Sequence, residues 1–386
     1  MIVLFSGLAV LTLAYALFIS WCIAGWNKTI RHHHTAVLRP VTFVSIIVPA
    51  RNEEKNISHC LEDLVGQDYP AELFEIIVSD DSSTDHTVEI INRFIVSHDT
   101  IRIRLVRSGN VNGISGFKKK AIEAAVSLAK GELIVNVDAD CRTRSRFLSE
   151  LVSIYENENA ALIAAPVFFE PGKTLFSKIQ ALEFAGLTGI AAGAIGNGKP
   201  VMCNGAGLAY SKSVFNNVDG FAGSNTASGD DTQLMHKIAA LRPGAVHFAG
   251  SKDAIVTTQS NPDMQSLFHQ RKRWASKIPV NMSSFTVLIA VVAFLVHAGL
   301  FILMPLSFIK VKFLAAFLSA LLIKAIPEFI LLRKVTTMGG MKKLLWLFLP
   351  AQTAYCIYIL ITGIMSFSGS YTWKGRKIVP ANIPAA

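Results

Sequence analysis

The chain has 386 residues, 51% of them hydrophobic, with a mean hydropathy of +0.42 and a formal charge of +10. That length holds one domain of ordinary size plus several helices, and the gathering of apolar residues at the two ends argues against a single large soluble domain. The charge sits beside the apolar segments, at Lys28 and Arg31, at Arg271, Lys272, Arg273 and Lys277, and at Arg333, Lys334, Lys342 and Lys343. This is the bias of loops held on the cytoplasmic side of a membrane, and with no basic helix or aromatic-basic repeat it does not read as nucleic-acid binding.

Residues 1–26 are nearly all apolar, carry no charge and are long enough to cross a hydrocarbon core of about 30 Å. The start lacks a basic n-region and no small-residue cleavage site stands out, so an uncleaved anchor is expected, with Trp21 and Trp26 at its inner interface. A basic linker, residues 27–42, contains His32, His33 and His34; three neighbours on one chain do not easily converge on one ion, and a solvated linker accounts for them. From residue 43 to about 280 the pattern changes to short β-branched runs alternating with amphipathic stretches. Strands are expected at Val44 to Pro49, Glu75 to Ser79, Ile101 to Val106 and Glu132 to Val137, with helices at Ser58 to Gln67, Thr84 to Ser97 and Lys118 to Ala129. The alternation predicts an α/β domain with a mostly parallel, Rossmann-like sheet, whose ligands would bind beyond the carboxyl ends of the strands. Ala181 to Gly198 fits a buried helix, with an interfacial stretch or acceptor wall as the alternative. About three further transmembrane helices are expected over residues 281–368, followed by a tail, 369–386. Lys324, Pro327 and Glu328 interrupt the second of them, which marks a face turned to the protein interior. Four crossings would leave the tail outside, although Lys374, Arg376 and Lys377 favour the inside. Cys22, Cys60, Cys141, Cys203 and Cys356 form neither a paired framework nor a Cys-x-x-Cys spacing and read as reduced thiols.

Four acidic or basic clusters stand at element ends. Asp80 and Asp81 follow the second strand and lead into Ser82, Ser83, Thr84 and Asp85; these groups suit a base and ribose, and equally a turn with a helix N-cap. Asp138 and Asp140 follow a buried strand with one residue between them, so both can face one site and offer hard oxygen ligands to Mg²⁺ or Mn²⁺. Asp230 and Asp231 open a helical run, where a cap is the plain alternative. Gln270, Arg271, Lys272, Arg273 and Trp274 precede a membrane segment, where an interfacial belt of the same residue types is also expected.

Taken in order, Val48-Pro49-Ala50-Arg51-Asn52-Glu53, Asp80-Asp81-Ser82-Ser83-Thr84-Asp85, Asp138-Ala139-Asp140, Gly229-Asp230-Asp231 and Gln270-x-x-Arg273-Trp274 resemble the family 2 glycosyltransferases, particularly the membrane-embedded branch related to cellulose, chitin and hyaluronan synthases. The resemblance covers roughly Val44 to Trp274. It implies a GT-A fold, a nucleotide-diphosphate sugar donor, often UDP-linked, and inversion at the anomeric carbon. It also implies nucleotide or substrate contacts at Pro49, Arg51, Glu53, Asp80, Asp81, Lys118 and Asp138, a metal ligand at Asp140, and a general base at Asp231 beside Asp230, which replaces the more usual Glu. Gln270, Arg273 and Trp274 would close over the donor diphosphate and the acceptor end. Phe117 stands where the family commonly has Gly, next to Lys118.

The expected activity is therefore transfer of a sugar to a lipid or glycan hydroxyl at a cell membrane by a cytoplasmic catalytic domain, with Mn²⁺ or Mg²⁺ as cofactor. So few membrane segments are sparse for a polymer channel, so a short product or a lipid acceptor fits at least as well as a long polymer, and an accessory subunit stays open as a partner. The competing readings are a sugar nucleotidyltransferase, which would release pyrophosphate, and a membrane receptor or transporter with a nucleotide-binding domain, which would bind without turnover.

Overall fold

A computed structural model describes residues 2–31, 40–98, 100–107, 117–222, 230–275, 283–365, 371–373 and 376–378. His32 to His34, Gly229, Lys277 and Lys374 fall outside them, as does the side chain of Asp230.

The central sheet has seven strands in the order β3-β2-β1-β4-β8-β6-β9. Strands β1 (Val44–Ala50), β2 (Phe74–Asp80), β3 (Arg102–Arg107) and β4 (Leu133–Asn136) run parallel, joined by helices α2 (Ile57–Val65), α3 (Thr87–Ser97) and α4 (Phe117–Leu128). Every residue of β2 and all but Pro49 of β1 are buried, the mark of strands covered on both faces. The second half of the sheet follows less simply. Helix α5 (Phe147–Glu158) leads to β6 (Leu162–Ala164), while β8 (Leu208–Ser211) inserts between β4 and β6 and runs antiparallel to both; β9 (Val246–Phe248) is parallel to β6. A second sheet, β5 (Cys141–Thr143), β10 (Val256–Gln259) and β7 (Val167–Glu170), lies beyond Asp140.

Helix α1 (Ile2–Arg31) extends past the expected end at Trp26. At about 1.5 Å per residue it is roughly 45 Å long, and its last turns pack on the catalytic domain, with Trp26 buried 6.5 Å from the Phe248 ring. Its partner there is α6 (Leu175–Gly196), a helix apolar enough to cross a membrane yet mostly buried inside the protein, as the buried-helix reading expects. The two backbones touch through small residues: a Cβ on Gly193 would lie 2.3 Å from the Cys22 carbonyl oxygen, and one on Gly196 2.3 Å from that of Gly25. Asn197 seals the contact by donating to the Trp21 carbonyl at 2.7 Å and accepting from Lys28 at 2.9 Å.

After α7 (Lys212–Asn217), α8 (Asp230–Leu241) and α9 (Met264–Ala275) come three apolar helices, α10 (Ser284–Leu306), α11 (Val311–Met338) and α12 (Phe348–Met365). Ring contacts pair Phe5 with Phe313, and Tyr15 donates to Glu328 at 2.6 Å, so α1 and α11 run side by side in the same direction. Lys324 is fully buried on α11 and donates to Glu328 at 2.8 Å and to Gln352 of α12 at 2.6 Å, so these polar groups do face the interior. Helix α12 begins beside Phe329, on the part of α11 that approaches the catalytic domain, and the hairpin that follows it, β11 (Tyr371–Trp373) and β12 (Arg376–Ile378), places β11 against α9. The start of α12 and the hairpin after it thus both lie toward the catalytic domain.

Candidate active site

The carboxyl ends of β1, β2 and β4 meet at one edge, and the residues just beyond them build a cleft with two lobes. The first lobe, about 120 Å³, is lined by Pro49, Arg51, Glu53 and Asp81; the second, about 210 Å³, by Asp231, Gln270 and Trp274. Lys118, Asp138, Asp140 and Arg273 line both and form the wall between them. Residues from six separate stretches of sequence therefore share one cavity.

The loops of the first lobe are tied to each other. Arg51 donates to the carbonyls of Asp81 and Ser82, and its guanidinium lies 3.9 Å from the Asp81 carboxylate. Asn52 and Ser82 both adopt positive φ, 52° and 55°, a conformation that a non-glycine residue keeps only when its surroundings hold it. They are held: the Asn52 side chain accepts from the Thr84 amide at 2.8 Å, and the Asn52 amide donates to the Ser83 hydroxyl at 3.0 Å. Asp85 accepts from the Glu54 amide at 3.2 Å and the Thr87 hydroxyl at 2.5 Å, and those bonds outweigh its partial burial and hold its carboxyl below the ordinary value. Asp80 is buried, accepts from the Ser83 amide at 3.2 Å and lines neither lobe. Of the acidic run after β2, Asp81 faces the cleft, whereas Asp80 and Asp85 secure the turn. Glu53 is buried in the lobe wall and accepts from Asn56 at 2.9 Å.

On the shared wall Lys118 pairs with Asp138 at 2.5 Å. Burial alone would lower the pKa of this ammonium, but the carboxylates of Asp138, Asp231 and Asp140 outweigh it and hold the pKa above the ordinary value, so Lys118 stays a cation. Asp140 is exposed at the head of the wall. Among the described residues no group of three His, Cys, Asp or Glu is arranged to hold a metal ion. A single exposed carboxylate beside cations still fits Mg²⁺ or Mn²⁺, which commonly take one or two carboxylates and complete their shell with phosphate oxygens and water.

In the second lobe the Asp231 carboxylate is fixed at the start of α8. One oxygen accepts from the Gly205 amide at 2.9 Å and the other from the Thr232 amide at 2.8 Å. Each oxygen keeps a second lone pair for another partner. The floor is aromatic: Phe169 stacks on Phe184 at 4.2 Å, and Phe184 meets Trp274 at 5.8 Å.

Three residues outside the motifs anchor this floor. Arg271, buried on α9, pairs with Glu183 of α6, donates to the Tyr358 hydroxyl of α12, and lies over the Trp274 ring at 4.3 Å. Tyr358 in turn donates to Glu183 at 3.0 Å. Beside them Gln270 accepts from Asn261 at 2.9 Å, and Asn261 is clasped by Gln180 of α6 through three bonds. The interfacial-belt reading thus fails for Arg271, which faces inward. The sequence signal was a charge inside the apolar stretch around Glu183, which composition alone gives no partner.

Among proteins of known activity, a beta-monoglucosyldiacylglycerol synthase from Nostoc is 31% identical over 133 residues, 34% of this chain and 28% of that protein. A probable glycosyltransferase from Bacillus subtilis, YdaM, is 27% identical over 235 residues, 60% of this chain and 54% of its own. The match therefore spans only about a quarter to a half of these relatives. A solved mannosyltransferase from Pyrobaculum calidifontis, in complex with GDP-Man and Mn²⁺, superposes with a TM-score of 0.55 over 95% of this chain and 100% of its own; at 18% identity it bears on the fold, which is GT-A. The motifs resemble family 2 enzymes, whereas the sequence profile that spans residues 4–379 is that of Glycosyl transferase family 21, and the relation to cellulose, chitin and hyaluronan synthases gains nothing from it. That match covers nearly the whole chain, and the chain belongs to glycosyl transferase family 21.

Proposed function

We propose that the protein transfers a sugar, with inversion, from a nucleoside-diphosphate donor, UDP-linked by the motif pattern, to a hydroxyl of a lipid or glycan at a membrane whose cytoplasmic side carries the catalytic domain. The observation that carries this reading is the two-lobed cleft, in which a carboxylate held by backbone amides, Asp231, faces a wall of Lys118, Asp138, Asp140 and Arg273.

The first lobe takes the nucleoside, with Pro49, Arg51, Glu53 and Asp81 around it and Asp138 at its inner edge. The diphosphate lies along the shared wall, where Lys118 and Arg273 meet the negative charge that grows as the bond from the anomeric carbon to the phosphate oxygen breaks. Asp140 would hold Mn²⁺ or Mg²⁺ there, and the bound ion would supply Lewis-acid stabilisation of the leaving diphosphate. The sugar occupies the second lobe on the aromatic floor. As the acceptor oxygen bonds to the anomeric carbon from the opposite face, its proton passes to the Asp231 carboxylate. Asp230 stands beside it in the chain, and Gln270, Arg273 and Trp274 of α9 cover donor and acceptor end.

The test is turnover of a panel of nucleotide sugars by the full chain in lipid nanodiscs with Mn²⁺ or Mg²⁺, membrane lipid extract as acceptor, alongside Asp231→Asn and Asp140→Asn. Labelled product with nucleoside-diphosphate release is expected, falling about 10²- to 10⁴-fold in Asp231→Asn while nucleotide binding persists, and losing metal dependence in Asp140→Asn. An Asp231→Asn enzyme as fast as wild type removes that residue as the base, and pyrophosphate release would replace the reading with nucleotidyl transfer.

A further inference from the structure

A second hollow lies outside the cleft, between α1 and α11 at the end nearest the catalytic domain, with a volume of about 510 Å³. Its walls are graded. Ile30 of α1 and Phe329 and Ile330 of α11 supply the apolar part, with Phe329 and Ile330 39% and 42% exposed. Arg333 and Lys334 follow one turn later on the same face of α11, about 6 Å nearer the catalytic domain. Lys334 reaches across the groove to donate to Asn27 of α1 at 3.0 Å, which fixes one cation over the opening. Arg333 is exposed, and no carboxylate among the described residues pairs with either cation. Lys342 and Lys343, exposed in the turn after α11, extend the same sign of charge along this end. A groove with an apolar depth and a cationic rim complements a molecule with an acyl chain below and a negative charge above, and basic pockets between membrane helices are a recurrent form of lipid headgroup site.

We propose that this groove binds an anionic phospholipid, its phosphate on Arg333 and Lys334 and one acyl chain along Phe329 and Ile330. The proposal rests on the membrane placement of α1 and α11 and is independent of which sugar is transferred. The lipid would act as a strut between the two helices, since its headgroup touches α11 while Asn27 and Ile30 bring α1 to the same groove.

The full chain is to be released from nanodiscs containing equal phosphatidylglycerol and phosphatidylcholine, and the retained lipid measured by native mass spectrometry. Preferential retention of one phosphatidylglycerol is expected, weakened on the order of 30-fold in Arg333→Gln/Lys334→Gln by loss of two cations, with Lys342→Gln/Lys343→Gln close to wild type. Nucleotide binding in each variant reports that the fold is intact. Equal retention of the two lipids, or unchanged retention in Arg333→Gln/Lys334→Gln, overturns the proposal. An equal loss in Lys342→Gln/Lys343→Gln overturns it too, because diffuse surface attraction then explains the preference. A chain that stays soluble without lipid or detergent would sink the membrane placement itself, an outcome distinct from either.

Discussion

Substituting Glu183→Gln removes one charge from the cluster of Glu183, buried Arg271 and Tyr358 and keeps its shape. Arg271 is only 5% exposed, so its guanidinium would be left in the interior with hydrogen bonds and no counter-charge. Breaking one side of such a pair costs about 3–5 kcal/mol, because the remaining ion keeps its desolvation penalty. That is a large part of the stability of an ordinary domain, and the local response is for α9 to leave α6. Trp274 and Arg273 ride on α9, and a displacement on the order of 1 Å in groups that position substrate lowers turnover about 10²-fold. The expected result is a kcat near 1% of wild type with donor KM little changed, and faster amide exchange along α9. The double substitution Glu183→Leu/Arg271→Met removes both charges and should restore much of the stability, since well-packed apolar replacements of a buried pair are often neutral or better. If Glu183→Gln leaves both turnover and α9 exchange at wild-type values, the cluster does not position the motif and the reasoning fails.

Three further outcomes follow from the packing and the buried groups. Gly193→Val places side-chain atoms against the Cys22 backbone, where even a Cβ would lie 2.3 Å away, and should lower Tm in detergent by several degrees, since overpacking costs about 1–3 kcal/mol; an unchanged Tm would mean α1 and α6 are not in backbone contact. His236 of α8 is partly buried, its Nε2 has no hydrogen-bond partner among the described residues, and burial lowers its pKa below 6.5. The unfolded chain then binds more protons than the folded one just below pH 6.5, so this contribution is fully present above that pH and is lost as pH falls toward the folded pKa; the fall in Tm between pH 7 and pH 5 should shrink in His236→Leu, and an identical fall in both proteins would rule the histidine out. Finally, cysteines placed at Glu72 of the catalytic domain and Thr372 of β11, in a Cys203→Ser background, should react with a membrane-impermeant reagent from the same side, whereas labelling from opposite sides would show that α12 crosses.

The expected runs at β1, β2 and β4 appear as strands within one or two residues because dense β-branched segments bounded by polar turns have few other ways to be buried. The short strands of the second sheet were not legible: Cys141–Thr143 and Val256–Gln259 carry no periodicity of their own and exist because they pair. The reversal of β8 likewise depends on the neighbours it finds, β4 and β6. In the site, the acidic pairs could be read because each pair is local, and strand ends bring them to one edge. Arg271 and Glu183 are separated by 88 positions and Glu183 and Tyr358 by 175, so no local pattern couples them. Asp80 and Asp81, adjacent carboxylates of the same type, divide between a turn and a cleft wall, a difference that their adjacency in the sequence does not carry.

The glycine contact between α1 and α6 bears on how this enzyme can be handled. Cys22 is fully buried and Trp26 nearly so, and the backbone of α6 that meets α1 here includes Gly193, against Cys22, and Gly196, against Gly25. A fragment cut at the linker, as for enzymes whose anchor is a mere tether, would expose the bare backbone of α6 along that seam. The first helix is a structural rib of the catalytic body, so any soluble version has to keep it and repaint its outer face, at positions such as Val10, Leu13 and Leu17, together with the exposed apolar faces of α10 and α11.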